Sequence, residues 1–163
     1  MGQRIILELG SGANPFHQSS DESRVIHLDC VEGPHVELYC NLEHGIPLPS
    51  NSVDEVLAID VLEHLRDIVA IVDEMHRVLV DKGRATIRVP QFGTYNHVTD
   101  PTHVRGFSED SFDFFDDETP LGKGNGRIYT SRRWKMLNKE KAILNLLFTM
   151  AAIKPGGEKR RAL

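Results

Sequence analysis

The sequence predicts an α/β fold, a mostly parallel sheet with helices on both faces. Three observations lead there. Short apolar runs bounded by Gly, Pro, Asn and Ser recur between Ile5 and Val89, as buried strands do. Between two of them the period changes: Ile68, Ile71, Val72, Met75, Val78 and Leu79 fall at helical spacing, with Asp73, Glu74 and Arg77 on the other side. The first run, Ile5-Ile6-Leu7-Glu8-Leu9, passes straight into Gly10-Ser11-Gly12, as a parallel strand does when it ends against a ligand. Strands alternating with a helix in this way belong to a parallel sheet with helical crossovers.

In order, strand one runs from Arg4 to Leu9. The polar, Ser-rich stretch from Phe16 to Arg24 has no helical period, so the helix that usually follows a Gly-x-Gly turn is short or absent, and a helix-dipole phosphate site is poorly supported. Val25 to Asp29 reads as strand two and Val36 to Cys40 as strand three, with Asn41 at its tip. Gly45, Pro47 and Pro49 punctuate a loop, Ser50 to Ser52 is a turn, and Val53 to Ile59 is strand four. The helix stops at Gly83, and Arg84 to Val89 is strand five, ended by Pro90.

The remainder is less periodic. Gln91 to Phe107 carries Tyr95, His97, Asp100, His103 and Arg105, too polar for a core, and reads as a lid over a pocket. His97, Asp100 and His103 can be drawn as a metal triad, but they lack a fourth ligand and a fixed helical frame, so no metal is assigned. Ser108 caps a short acidic helix from Glu109 to Phe115 whose aromatics face the core. Gly122 to Gly126 is a flexible turn without the Gly-Lys-Ser/Thr ending of a P-loop. Arg127 to Leu137 alternates enough for strand six, and Ala142 to Ile153 reads as a mostly apolar helix, too short for a bilayer.

At 163 residues and 40% hydrophobic content, the chain suits one domain spanning 1–163. No membrane span or signal-peptide pattern is apparent. Cys30 and Cys40 form no Cys-x-x-Cys pair, which fits a reduced, cytoplasmic setting. The net charge of −5 is unevenly spread: residues 1–120 carry 8 basic and 22 acidic side chains, residues 121–163 carry 11 and 2. A basic segment of this kind meets an anionic partner such as nucleic acid or, the reading preferred, packs back on its own acidic half.

Two acids give the Gly-x-Gly turn a chemical sense. Glu8 lies inside strand one, and Asp29 closes strand two, placed to accept both ribose hydroxyls of a nucleoside-containing cofactor.

Four blocks then resemble a known family: Leu7 to Gly12; Leu28-Asp29; the run from Ile46-Pro47-Leu48-Pro49 through Val53-Asp54-Glu55-Val56 to Val61-Leu62-Glu63-His64-Leu65; and Arg77-Val78-Leu79-Val80-Asp81-Lys82-Gly83-Arg84. In this order they resemble the class I S-adenosylmethionine-dependent methyltransferases of the small type 11 kind, over residues 4–90, with a looser match at Asp100 to Arg105. The resemblance implies a Rossmann-like sheet, S-adenosyl-L-methionine as cofactor, a cofactor-binding core in 1–90, and a lid and variable part in 91–163. The family's seventh strand has no clear counterpart. Gly10 and Gly12, with Ser11 between them, would admit the cofactor's methionine portion, and Glu8 would face its ammonium group. Asp29 would hold the ribose, Cys30 the adenine face, and Asn41 and Leu42 the adenine edge. Ile59 and Asp60 would flank the sulfonium. Asp60 and, from the lid, His103 are the candidate catalytic residues; His64 is more simply a packing residue.

The methyl acceptor is unidentified, a small molecule or a glycan- or lipid-type substrate being favoured over nucleic acid. Nucleic acid rests on the basic segment alone, and Asp60-Val61-Leu62-Glu63 stands where base-amino methyltransferases carry their Pro-Pro signature. Two other readings stay open: a catalytically silent S-adenosylmethionine-binding subunit, and a nicotinamide-binding Rossmann domain, weakened by the absent third glycine and degenerate first helix.

Overall fold

A computed structural model describes residues 2–155 and 160–163. It contains one seven-stranded sheet in the order β3-β2-β1-β4-β5-β7-β6. The strands are β1 (Arg4–Leu9), β2 (Ser23–Asp29), β3 (Leu38–Tyr39), β4 (Val53–Ile59), β5 (Leu79–Pro90), β6 (Arg133–Lys141) and β7 (Asn145–Ile153). The first five pair in parallel; β7 runs antiparallel to both β5 and β6.

Alternation along each central strand decides which face is core. Leu7 and Leu9, Ile26 and Leu28, Val56 and Ala58, and Ala85, Ile87 and Val89 point one way and are almost fully buried. Helix α1 (Ile68–Val78) lays Ile71, Val72, Met75 and Val78 over this face. Asp67 starts the helix by accepting from Ala70 N at 2.9 Å. Arg77 ends it by reaching back to the carbonyls of Ile46 and Leu48, 2.8 Å each, while pairing with Glu74, so the proline-rich loop before β4 is fastened to the helix. That guanidinium holds the Glu74 carboxyl below its ordinary range. On the opposite face Ile6, Val25 and Leu57 form a small cluster of their own.

Five expectations are corrected. Ala142 to Ile153 is not a helix: it turns back from β6 into β7, which inserts beside β5. Leu146, Phe148, Met150 and Ala152 are buried with a period of two, a pattern that only pairing with β5 enforces. The seventh strand is therefore present. The sixth begins at Arg133, after a short helix α3 at Arg127–Tyr129. The Glu109–Phe115 helix reduces to a 3₁₀ turn at Asp113–Phe115, and the third strand to Leu38–Tyr39. The shortened turn still buries Phe112 and Phe115; Phe112 stacks on Phe107 and meets Phe115 and Phe148 at tilted angles.

The basic residues of the C-terminal part turn inward on the acidic half. Lys139 pairs with Asp113 at 2.5 Å, Lys141 with Glu109 at 2.6 Å, Arg133 with Asp117 at 3.3 Å and Arg160 with Asp54 at 2.9 Å, and Lys135 meets Glu118. No helix among the described residues is long and apolar enough to cross a membrane.

Candidate functional site

The site follows from strand order. β1 pairs with β2 on one edge and with β4 on the other, so the segments leaving β1 and β4 part at their C-terminal ends and open a crevice there. Gly10 leaves β1 at φ +64°, and a Cβ on it would stand 2.6 Å from Val61 Cγ2, so the two segments meet only because this residue is glycine. Across from it Asp60 leaves β4 at φ +53°, a left-handed conformation that Asp tolerates better than most residues. A cavity of about 270 Å³ lies between them, lined by Gly10, Asp29, Cys30, Asn41, Leu42 and Asp60 over a floor of Val61 and Leu65, with Cys40 and His64 at its sides.

Asp29 is shaped for an external partner. Its Oδ2 accepts from Gly12 N and its Oδ1 from Val31 N, both at 2.8 Å, which fixes the carboxylate and leaves lone pairs on both oxygens. Asn41 accepts from Glu43 N at 3.0 Å, starting the turn Leu42–His44, and keeps its amide N–H groups free of that bond. Cys40 was not anticipated in the wall: its thiol donates to the Gly45 carbonyl at 3.3 Å, and burial pushes its pKa up.

Glu8, Ser11, Gly12 and Ile59 do not line this cavity. Glu8 is buried and accepts from Phe16 N at 2.5 Å and His17 N at 3.2 Å, with His27 Nδ1 3.3 Å away. The carboxylate thus fastens the helix-free segment after β1, the place where a helix would otherwise satisfy its own amides. Ser11 N donates to Leu28 O at 3.1 Å, and Gly12 acts through its bond to Asp29. Ile59 packs with the small cluster of Ile6, Val25 and Leu57.

A second cavity, of about 320 Å³, adjoins the first and shares Asp60 and His64 with it; Glu63, Asn96, Thr99, Asp100, His103 and Asn145 complete its polar walls. Asp60 is held here by Arg88, whose Nε lies 3.1 Å from both carboxylate oxygens and whose Nη2 lies 2.5 Å from Oδ2. His103 donates Nδ1–H to the His97 carbonyl at 3.1 Å and turns Nε2 toward Glu63 Oε1, 3.9 Å away. Glu63 is 1% exposed. Burial pushes its carboxyl up to about 7, with the Asp60 charge adding and a backbone hydrogen bond and the charges of His103 and Arg88 opposing. Sequence reasoning passed over Glu63. The available signal was an acid set among Val61, Leu62 and Leu65 directly after a buried strand.

The segment 91–107 contains a short helix α2 (Tyr95–Thr99) and is tied down along its length. Phe92 N donates to Phe107 O at 2.8 Å, Val104 N to Glu63 O at 2.9 Å, and Arg105 Nε to Leu65 O at 3.1 Å. It walls the second cavity with Asn96 and His103.

Residues 7–87 match the methyltransferase domain family. That segment resembles this family, and the fold is the Rossmann-like one of the S-adenosylmethionine-dependent methyltransferases. The YcgJ protein of Bacillus subtilis has a similar structure, with a TM-score of 0.66 at 14% identity over 94% of this chain and 93% of that one. The Burkholderia thailandensis 1,6-didemethyltoxoflavin-N1-methyltransferase, solved with 1,6-didemethyltoxoflavin and S-adenosylhomocysteine, gives 0.63 at 16% identity, over 93% of this chain and 72% of that one. The 4+2 cyclase SpnF gives 0.64 at 12% identity, over 93% and 75%. At these identities the likeness shows the fold; the chemistry belongs to each site. No curated protein matches the sequence.

Proposed function

We propose that this chain binds S-adenosyl-L-methionine in the first cavity and transfers its methyl group to an acceptor held in the second. The observation that carries the reading is that the two cavities meet at Asp60 and His64. The family match and a neighbour solved with S-adenosylhomocysteine support the cofactor. Asp29, with lone pairs left on both oxygens, would hold its ribose hydroxyls; Cys30, Asn41 and Leu42 would border its adenine, and the Cβ-free surface of Gly10 would admit its methionine portion. Asp60, in the wall common to both cavities, would then flank the sulfonium methyl and the arriving acceptor.

Methyl transfer needs little covalent help. The acceptor's lone pair forms the new bond to the methyl carbon while the carbon–sulfur pair returns to sulfur. Holding the acceptor on that axis contributes on the order of 7–11 kcal/mol. Asn96 and Asn145 offer hydrogen bonds for positioning, and their neutral, polar character suits a small hydroxyl- or amine-bearing molecule or the head of a larger glycan or lipid. A hydroxyl or ammonium acceptor also loses a proton, and Asp60 and His103 are the groups in reach.

The test has two parts. S-adenosylhomocysteine at 100 times its dissociation constant should stabilise the fold by about 2.7 kcal/mol, while NAD does nothing. Stabilisation by NAD alone would sink the reading. Radiolabelled S-adenosylmethionine incubated with fractionated extract should then place label in one acceptor class; cofactor binding with no transfer to any fraction would identify a silent binding subunit.

A further inference from the structure

Glu63 and His64 are consecutive in a 3₁₀ turn just past β4, and His103 comes from the segment after α2, so three metal-ligating side chains converge from two parts of the chain. One ring nitrogen from each histidine and one carboxylate oxygen of Glu63 lie within 4.8 Å of one another. The second Glu63 oxygen, Oε2, is buried without a hydrogen-bond partner, on a side chain that is 2% exposed. An unsatisfied carboxylate oxygen in such a place is costly, and a structure retains one where something else completes it.

The tautomers point the same way. The His97 carbonyl can only accept, so His103 carries its proton on Nδ1 and presents the Nε2 lone pair, 3.9 Å from both Glu63 Oε1 and Asp100 Oδ2. Thr102 Oγ1 spends its proton on Asp100 Oδ1 at 2.6 Å, so His64 Nδ1, 2.9 Å away, donates to that hydroxyl oxygen and keeps its own Nε2 lone pair. Both imidazoles are therefore held by protein groups on Nδ1 and open on Nε2, which is how metal-binding histidines are oriented.

We propose that Glu63, His64 and His103 bind a divalent transition-metal cation. Two imidazoles with one carboxylate and no thiolate select Zn²⁺, Mn²⁺ or Co²⁺ over Mg²⁺ or Ca²⁺. Bonds of about 2.0–2.2 Å put neighbouring ligand atoms roughly 3.0–3.5 Å apart, so three ligand atoms that all lie within 4.8 Å of one another draw together around the ion. A shared proton between Glu63 and His103 is the competing arrangement; at 3.9 Å it makes no hydrogen bond, and it leaves Oε2 and His64 unused. The ion occupies the wall of the second cavity and offers an open position to an oxygen-bearing acceptor, leaving Asp60 as the group that takes the acceptor's proton. That last consequence rests on the methyl-transfer reading; the metal site does not.

Chelator-treated protein titrated with Co²⁺ at neutral pH should bind one ion per chain and develop the visible absorption of a low-coordinate nitrogen–oxygen site, with Zn²⁺ competing. Glu63→Gln and His103→Ala should each weaken binding at least about 10- to 100-fold, while His35→Ala, at an exposed histidine outside the cluster, leaves it unchanged. Thermal melts of the same variants verify that they fold. Absence of stoichiometric binding, or binding that survives both substitutions, overturns the proposal. S-adenosylhomocysteine affinity is read by calorimetry on the same samples, so failure of the cofactor reading registers separately from failure of the metal site.

Discussion

Arg88 on β5 grips Asp60 at the tip of β4 through both carboxylate oxygens, and the Asp60 amide in turn donates to the Arg88 carbonyl at 2.9 Å. A residue at positive φ is thus fixed twice by one partner, in the wall common to both cavities.

Arg88→Ala should therefore act on turnover rather than on cofactor affinity. The main-chain bond survives the substitution, so the cofactor cavity keeps its shape, but the carboxylate swings free. Misplacement of about 1 Å near a reacting atom costs on the order of 100-fold. Steady-state kinetics alongside calorimetric S-adenosylhomocysteine binding should show kcat falling by about that factor with the dissociation constant changed by less than about 3-fold. Equal losses in both would show that Arg88 shapes the cofactor cavity instead.

Asp29→Ala should weaken cofactor binding by about 2–4 kcal/mol, the worth of one to two charge-assisted hydrogen bonds. The loss includes the anchor for Gly12 N and Val31 N. Unchanged affinity by calorimetry would mean that the ribose lies elsewhere.

Gly10→Ala meets two obstacles, a left-handed backbone and Val61 Cγ2 at 2.6 Å. The conformation alone costs about 1–2 kcal/mol. The double variant Gly10→Ala with Val61→Ala removes the collision and should recover part of the melting temperature but not all of it. Full recovery would show that the backbone strain is negligible.

His76 gives the fold a defined acid sensitivity. It is 3% exposed, and its Nε2 lies 3.0 Å from Arg133 O and 3.2 Å from Ile153 O, where β6 and β7 come together. Burial lowers its pKa to about 4, helped by Lys154 and Arg132 and opposed by the two carbonyls. The folded value lies below the unfolded one of about 6.5. Between them the unfolded chain binds more protons, so this contribution is complete above pH 6.5 and is lost as pH falls toward 4. On the order of 2 kcal/mol is at stake once solvent screening is allowed for. Urea midpoints across this window should fall less steeply for His76→Gln, whose amide still donates to the carbonyls; parallel curves would refute the assignment.

Much of the first cavity was legible because its signals are local. β1, β2, β4 and α1 announce themselves by their own periods, and Gly10, Asp29, Cys30, Asn41, Leu42 and Asp60 sit at strand ends that those periods locate. Glu8 shows the limit of that method. Its position in the strand was evident, but its partners, Phe16 and His17, depend on a segment with no regular structure. β7 was misread because Leu147 and Ala151 fill in its alternation, so an apolar run that is a strand only beside β5 looks helical alone. Glu63 escaped for a similar reason: the group that gives it meaning, His103, lies forty residues further on.

The insertion of β7 between β5 and β6 has a consequence for synthesis. While the chain emerges, the first five strands are complete before β7 exists, and β5 then presents a full open edge of amides and carbonyls. Such an edge recruits other strands. Over that interval the nascent chain carries the 22 acids and 8 bases of residues 1–120 with no basic hairpin to answer them. Mutual repulsion keeps such chains apart. When β6 and β7 arrive, lysines of β6 pair with acids of the earlier part and β7 closes the edge of β5. The chain is thus most repellent while it is most adhesive, and a ribosome-released fragment ending at residue 120 should aggregate as salt screens that charge.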